Sequence, residues 1–116
     1  MYNLIDPSLI SSTMMDNSDI IREFITLYVA QTPLDEEALR TAIRNNDLNE
    51  IASKAHHIKP TMEYIGAFAL KDRIITIESL AKEQADMNLI KDEFAILEKQ
   101  LQDLYQELQH YLNSLR

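Results

Sequence analysis

The segment DLNEIASKAHHIKPTMEYIGA, residues 47–67, decides how the chain folds. Asp47 followed three residues later by Glu50 is a capping box, the reciprocal arrangement that opens a helix. Leu48, Ile51, Ala52, Ala55, Ile58, Met62 and Ile65 recur at helical spacing and form one face. Gly66 ends the helix as a left-handed cap. Two features inside it are not those of a plain core helix. His56 and His57 stand side by side, and Pro60 removes the N–H that would bond the His56 carbonyl. A proline in a helix interior costs about 3 kcal/mol, so either packing or a use for the site must offset it.

Working outward, the same period repeats. Asp6-Pro7 is an N-cap followed by proline at the first helical position, and opens a short helix over 7–14. The polar stretch 16–19 caps a helix over 18–31, whose apolar stripe reads Ile20, Ile21, Phe24, Leu27 and Tyr28. Thr32-Pro33 is expected to stop that helix and start another, with Thr32 and Asp35 at capping-box spacing and Glu36 and Glu37 in the first turn. This one ends at Asn45-Asn46. A further helix covers 67–83, with Leu70, Ile74, Ile77 and Leu80 inward. The last runs over 89–114. Its Ile90, Phe94, Leu97, Leu101, Leu104, Leu108, Tyr111 and Leu115 alternate steps of four and three, a heptad pattern suited to a bundle.

Composition agrees. A chain of 116 residues suits one domain, residues 1–116, with a single core. One glycine, three prolines and an abundance of helix formers predict an all-α fold. The net charge of −8 disfavours nucleic acid and anionic membranes as partners. Without cysteine there is no disulfide framework and no thiolate metal site. The start, MYNLIDPSLI, lacks the basic and apolar regions of a signal peptide. The longest apolar run, 64–70, falls far short of the roughly 20 residues that span a bilayer. A cytoplasmic location is expected. The Met1 start and full set of helices favour a free-standing protein over a piece of a hybrid kinase.

Spacing residues 100° apart separates the two histidines. His56 falls on the border of the apolar face, beside Ala52 and Lys59, while His57 lies further round toward solvent. Lys59 is one turn on from His56, so the two side chains are neighbours. A cation there favours the neutral, nucleophilic ring and attracts a phosphoryl group. From position alone a plain surface histidine and a solvated lysine are the commoner readings, with Pro60 a tolerated kink.

The ordered string Ala55-His56-x-Ile58-Lys59, with Gly66-Ala67 ten residues after the histidine and Leu70 beyond, resembles the histidine-containing phosphotransfer (HPt) domain. That family's signature is A-H-x-L-K-G-S followed by a Gly-Ala pair. Thr61 takes the Ser position, and Pro60 stands where the family has Gly, which bears on docking geometry more than on chemistry. The resemblance extends to the length and helix order of most of the chain. It implies an antiparallel four-helix bundle with additional short helices. It also implies that His56 is the phosphorylated residue, with Lys59 as its electrostatic support. His57, Pro60 and Glu63 are then the partner-docking candidates. The implied activity is relay in a multistep two-component system: His56 takes a phosphoryl group from a receiver-domain aspartate and passes it to another receiver. The partners would be receiver domains of response regulators or of a hybrid kinase. No cofactor and no autonomous kinase activity are implied, since the Mg²⁺ belongs to the receiver and the chain has no Gly-rich phosphate loop.

Two other readings stand beside it. A non-catalytic helical adaptor would bind a receiver or another protein without carrying phosphate, with the heptad helix 89–115 as a dimer surface. A di-metal bundle is suggested by the Glu107-x-x-His110 spacing, although a second such motif is missing.

Overall fold

A computed structural model describes residues 2–115; Met1 and Arg116 lie outside the described residues. Five helices follow in order: α1 (Pro7–Thr13), α2 (Ser18–Arg44), α3 (Leu48–Tyr64), α4 (Phe68–Lys82) and α5 (Met87–Ser114). The four long ones form a bundle in which α3 packs against α2 and α4, and α5 closes the ring against the same two. Neighbours run antiparallel. Asp35 meets His57 across α2 and α3, Glu78 meets His56 across α4 and α3, and Arg40 meets Glu98 across α2 and α5. The short α1 lies over the end of α3, where the Asp6 N–H donates to the Ile65 carbonyl at 2.9 Å.

The core is apolar and drawn from every helix. Ile51, Ala55, Ile58 and Met62 are the buried residues of α3; Leu70, Ile74 and Ile77 line the inner face of α4. On α5 all seven heptad positions from Ile90 to Tyr111 are buried. Leu115 is only partly covered.

Caps form where short polar residues precede the helices. Asp6, Asn17, Asp47 and Asp86 each accept a backbone N–H from the first turn that follows. The end of α3 is a Schellman motif: the Ala67 N–H reaches the Met62 carbonyl at 2.8 Å and the Gly66 N–H reaches Glu63 at 3.2 Å. Gly66 stands at φ +72°, and a Cβ built on it would lie 2.5 Å from the Asp6 Cβ. The glycine is therefore fixed both by its left-handed backbone and by the approach of the chain entering α1.

Two expectations fail in α2. The helix does not break at Thr32-Pro33 but runs through to Arg44 with Pro33 inside it. Thr32 is buried at 2% exposure, whereas Pro33 faces solvent, so its ring meets no neighbouring helix. The missing bond to the Val29 carbonyl is outweighed by packing on both sides of the proline, where Ile25 and Leu39 are fully buried. Asp35 forms no capping box with Thr32; it accepts from Gln31 Nε2 at 3.1 Å. The predicted stripe is also rotated. Ile21 and Ile25 point into the core, while Phe24 is 42% and Leu27 54% exposed.

The long helices are also tied laterally. Glu36, buried on α2, accepts the Tyr105 hydroxyl at 2.7 Å and pairs with Arg40 at 2.9 Å, and Arg40 reaches Glu98 on α5 at 2.6 Å. Burial, followed by the bond to Glu36, holds the Tyr105 phenol far above its ordinary value.

Candidate functional site

Exposure does not distinguish the two histidines: the His56 side chain is 66% exposed and that of His57 68%. Their partners do. Being 100° apart on α3, they fall on opposite flanks. His57 leans toward α2, with Nε2 3.6 Å from Asp35 Oδ1. His56 leans toward α4, where Nδ1 lies 3.1 Å from Glu78 Oε2.

Glu78 is the organising group, and it is buried at 5% exposure. Its carboxylate meets His56, then Lys59 Nζ at 3.1 Å on Oε1, then Lys82 Nζ at 3.2 Å on Oε2. Burial alone pushes this carboxyl up. The hydrogen bonds and charges of Lys59 and Lys82 outweigh that and hold it below the usual carboxylate value. It is therefore ionised at neutral pH and has no proton to give. The proton between the two groups sits on His56 Nδ1, and in the neutral ring the Nε2 lone pair is the free one. An exposed imidazole so fixed presents one defined nucleophilic nitrogen to solvent.

Lys59 is where the spacing places it, one turn from His56, and it is half-buried because its ammonium turns in toward Glu78. Pro60 is exposed on the next turn. Glu63 is exposed but pairs with Lys71 of α4 at 3.3 Å, so it belongs to the charged α4 flank with His56 and Lys59. His57 and Tyr64 border the opposite, α2 flank, and Pro60 lies on the exposed turn between the two. The three docking candidates thus do not share one surface.

The α2 flank is apolar. Phe24, Leu27 and Leu34 are all exposed, at i, i+3 and i+10 along α2. Tyr28 and Tyr64 line a recess of about 390 Å³ with Phe24, Ile20 and Met15. Burial, and next the Tyr64 phenol, holds the Tyr28 hydroxyl above its ordinary value. Since Asp35 faces His57 and Tyr28 adjoins Tyr64, this stripe runs alongside the histidine turn of α3.

Glu107 serves a different purpose from the metal ligand its spacing suggests. Its carboxylate accepts the N–H groups of Asn3, Leu4 and Ile5 at 2.9–3.2 Å and straps the N-terminal segment to α5. Among the described residues no three His, Asp or Glu side chains converge as metal ligands, and no helix is long and apolar enough to cross a membrane.

Sequence reasoning missed Glu78. A signal was present: it lies four residues after Ile74 and next to Ile77, so it borders the inner face of α4, with Lys82 one turn on. A carboxylate on a core border needs a partner. Which helix would supply that partner is a tertiary fact.

Bundle and site together define a helical scaffold that displays two adjacent histidines, one of which, His56, is fixed from behind by a buried carboxylate. The family model for the Hpt domain matches residues 23–111, and the chain belongs to that family. Among solved structures it is similar to histidine-containing phosphotransfer protein B (HptB) from Pseudomonas aeruginosa PAO1, with a TM-score of 0.65 and 18% identity, over 92% of this chain and 98% of that one. At that identity the likeness is one of fold. No curated protein matches the chain.

Proposed function

We propose that the chain is a histidine phosphotransfer protein of a multistep two-component phosphorelay. In this reading His56 accepts a phosphoryl group from a receiver-domain aspartate and hands it to a second receiver. The observation that carries it is the exposed His56, bound through Nδ1 to an ionised, buried Glu78 on a chain of the Hpt family. That arrangement leaves Nε2 open to an incoming phosphorus. Lys59 supplies positive charge beside the product. The catalytic aspartate and its Mg²⁺ are the receiver's.

The apolar stripe of Phe24, Leu27 and Leu34, with Tyr64 across the recess, supports docking of a receiver over the α2–α3 face. His57, beside Asp35 of α2, would then fall within that footprint, and Pro60, on the exposed turn between the two flanks, would border it. Glu63, paired with Lys71 on the α4 flank, lies outside it. The heptad positions of α5 are spent inside its own bundle, which removes the main support for an adaptor that dimerises through that helix.

The test is phosphotransfer. Receiver domains loaded with acetyl phosphate are mixed with the protein, and acid-labile, base-stable phosphate is followed. Wild type and His57→Gln should take label, and His56→Gln should not. Label retained on His56→Gln would refute the assignment. Binding to receivers with no label on wild type would favour the adaptor.

A further inference from the structure

The Glu78 carboxylate carries more positive charge than one anion requires. Lys59 holds Oε1, Lys82 holds Oε2, and Oε2 also accepts the His56 Nδ1–H. Among the described residues no charged group of α2 or α5 pairs with it. We propose that Glu78 is the positioning residue of His56, and that Lys82 is a reserve counter-charge that lets Lys59 turn from the carboxylate to the phosphoryl group. This rests on the reading of His56 as the phosphorylated residue.

The balance of the transfer step shows why both parts matter. The Nε2 lone pair attacks the phosphorus of the receiver's aspartyl phosphate. The N–P bond forms as the P–O bond breaks, and the aspartate leaves with the bonding pair as a carboxylate. No proton departs, because Nδ1 keeps its own. The phosphorylated ring is therefore cationic next to its anionic phosphoryl group. The carboxylate of Glu78, 3.1 Å from Nδ1, faces that ring charge. Transfer to the second aspartate is the same exchange in reverse, with the ring leaving as neutral imidazole.

Lys59 is the cation one turn on from His56 on the same helix and on the same flank, whereas Lys54 pairs with Glu50. In the resting protein its ammonium is engaged by Glu78. Were it the carboxylate's only cation, moving it would strand a buried charge, which is strongly unfavourable. Lys82 removes that obstacle. It approaches from solvent, with its side chain 65% exposed, four residues along α4 from Glu78, and it stays on Oε2 when Lys59 leaves Oε1. A single cation still neutralises the carboxylate, and the other serves the phosphate.

The experiment combines ¹⁵N-histidine NMR with the phosphorylated fraction reached at equilibrium against one loaded receiver. Wild-type His56 should show the Nδ1–H tautomer. Glu78→Ala should revert to the Nε2–H form that a free histidine side chain favours, and its ratio of phosphorylated to unphosphorylated protein should fall about tenfold, the size of a lost charge-assisted hydrogen bond. Glu78→Gln keeps shape and an acceptor without the charge. It should hold the tautomer yet lower the phosphorylated fraction, which guards against a folding defect in the alanine variant. Lys82→Gln should leave the tautomer untouched and lower the fraction several-fold, toward that of Lys59→Gln. A wild-type Nε2–H tautomer, or a Lys82→Gln protein phosphorylated as fully as wild type, overturns the inference alone. A wild type that takes no phosphate from any receiver overturns the relay reading and this inference with it.

Discussion

Replacing Gly66 by alanine tests the close approach that seats α1 on the bundle. The residue stands at φ +72°, where an L-residue with a Cβ loses roughly 1–2 kcal/mol. Alanine adds a second penalty. Its Cβ would meet the Asp6 Cβ at 2.5 Å, with the Asp6 nitrogen at 3.2 Å and Leu9 Cδ2 at 3.3 Å. Ordinary carbon contacts lie near 3.5–4.0 Å, so the chain entering α1 must move by about 1 Å. That movement strains the Asp6 N–H bond to the Ile65 carbonyl, a bond worth about 1 kcal/mol. It also loosens fully buried Ile10. The sum is roughly 3 kcal/mol, which for a chain of this length lowers the melting temperature by roughly 10–15 °C. Asn46→Ala supplies the control. Asn46 has φ 54° and already carries a Cβ, so that variant feels only the left-handed backbone, at about 1 kcal/mol or less. Thermal and urea unfolding of the two variants give the comparison. If Gly66→Ala lost no more stability than Asn46→Ala, α1 would not sit against the α3 terminus as described.

Other perturbations probe the site's surroundings. Phe24→Ser with Leu27→Ser should leave the melting temperature within a few degrees, because neither side chain is in the core, yet weaken binding to a cognate receiver about tenfold or more by titration calorimetry; unchanged affinity would remove the docking face from α2. Acid unfolding should report Glu78. Its folded-state value lies below the ordinary one, so its stabilisation is complete above the unfolded value of about 4.3 and disappears as pH falls through the lower folded value. Wild type should therefore exceed Glu78→Gln in stability at pH 7, and the gap should narrow below about pH 4. A gap that held constant down to pH 2 would mean that the lysines do not hold the carboxylate ionised.

What the sequence revealed depended on whether one helix sufficed to decide it. The α5 heptads read correctly because seven positions of one helix meet a single core. Gly66 was also legible, because a left-handed turn at a helix end calls for glycine, and it stands at φ 72° with Ala67 fully buried just beyond it. Pro33 misled because its local cost is real but small against a helix clamped between α3 and α5. Glu78 stayed hidden for the converse reason. Its border position was visible on α4, but two of its partners, His56 and Lys59, reside on α3.

The misplaced stripe of α2 carries a more general point about reading function from pattern. Hydrophobic periodicity reports that a face is to be covered, and does not say by what. Phe24 and Leu27 have helical spacing and were grouped on that ground in one stripe with Ile21, but of these three only Ile21 is buried, and Ile25, which the stripe left out, is buried beside it. Helix α2 therefore carries two apolar faces. One is satisfied within the bundle, and the other opens beside the turn that bears His56 and His57. A surface helix in a protein with no partner has no use for the second face, which costs solubility and adds nothing to the core. Exposure alone does not single that face out, since Phe68 and Ile75 on α4 and Leu89 and Ile96 on α5 are exposed as well; what joins the misreading to the site is that Tyr28 meets Tyr64 across the recess and Asp35 meets His57, which puts the α2 face beside the histidine turn.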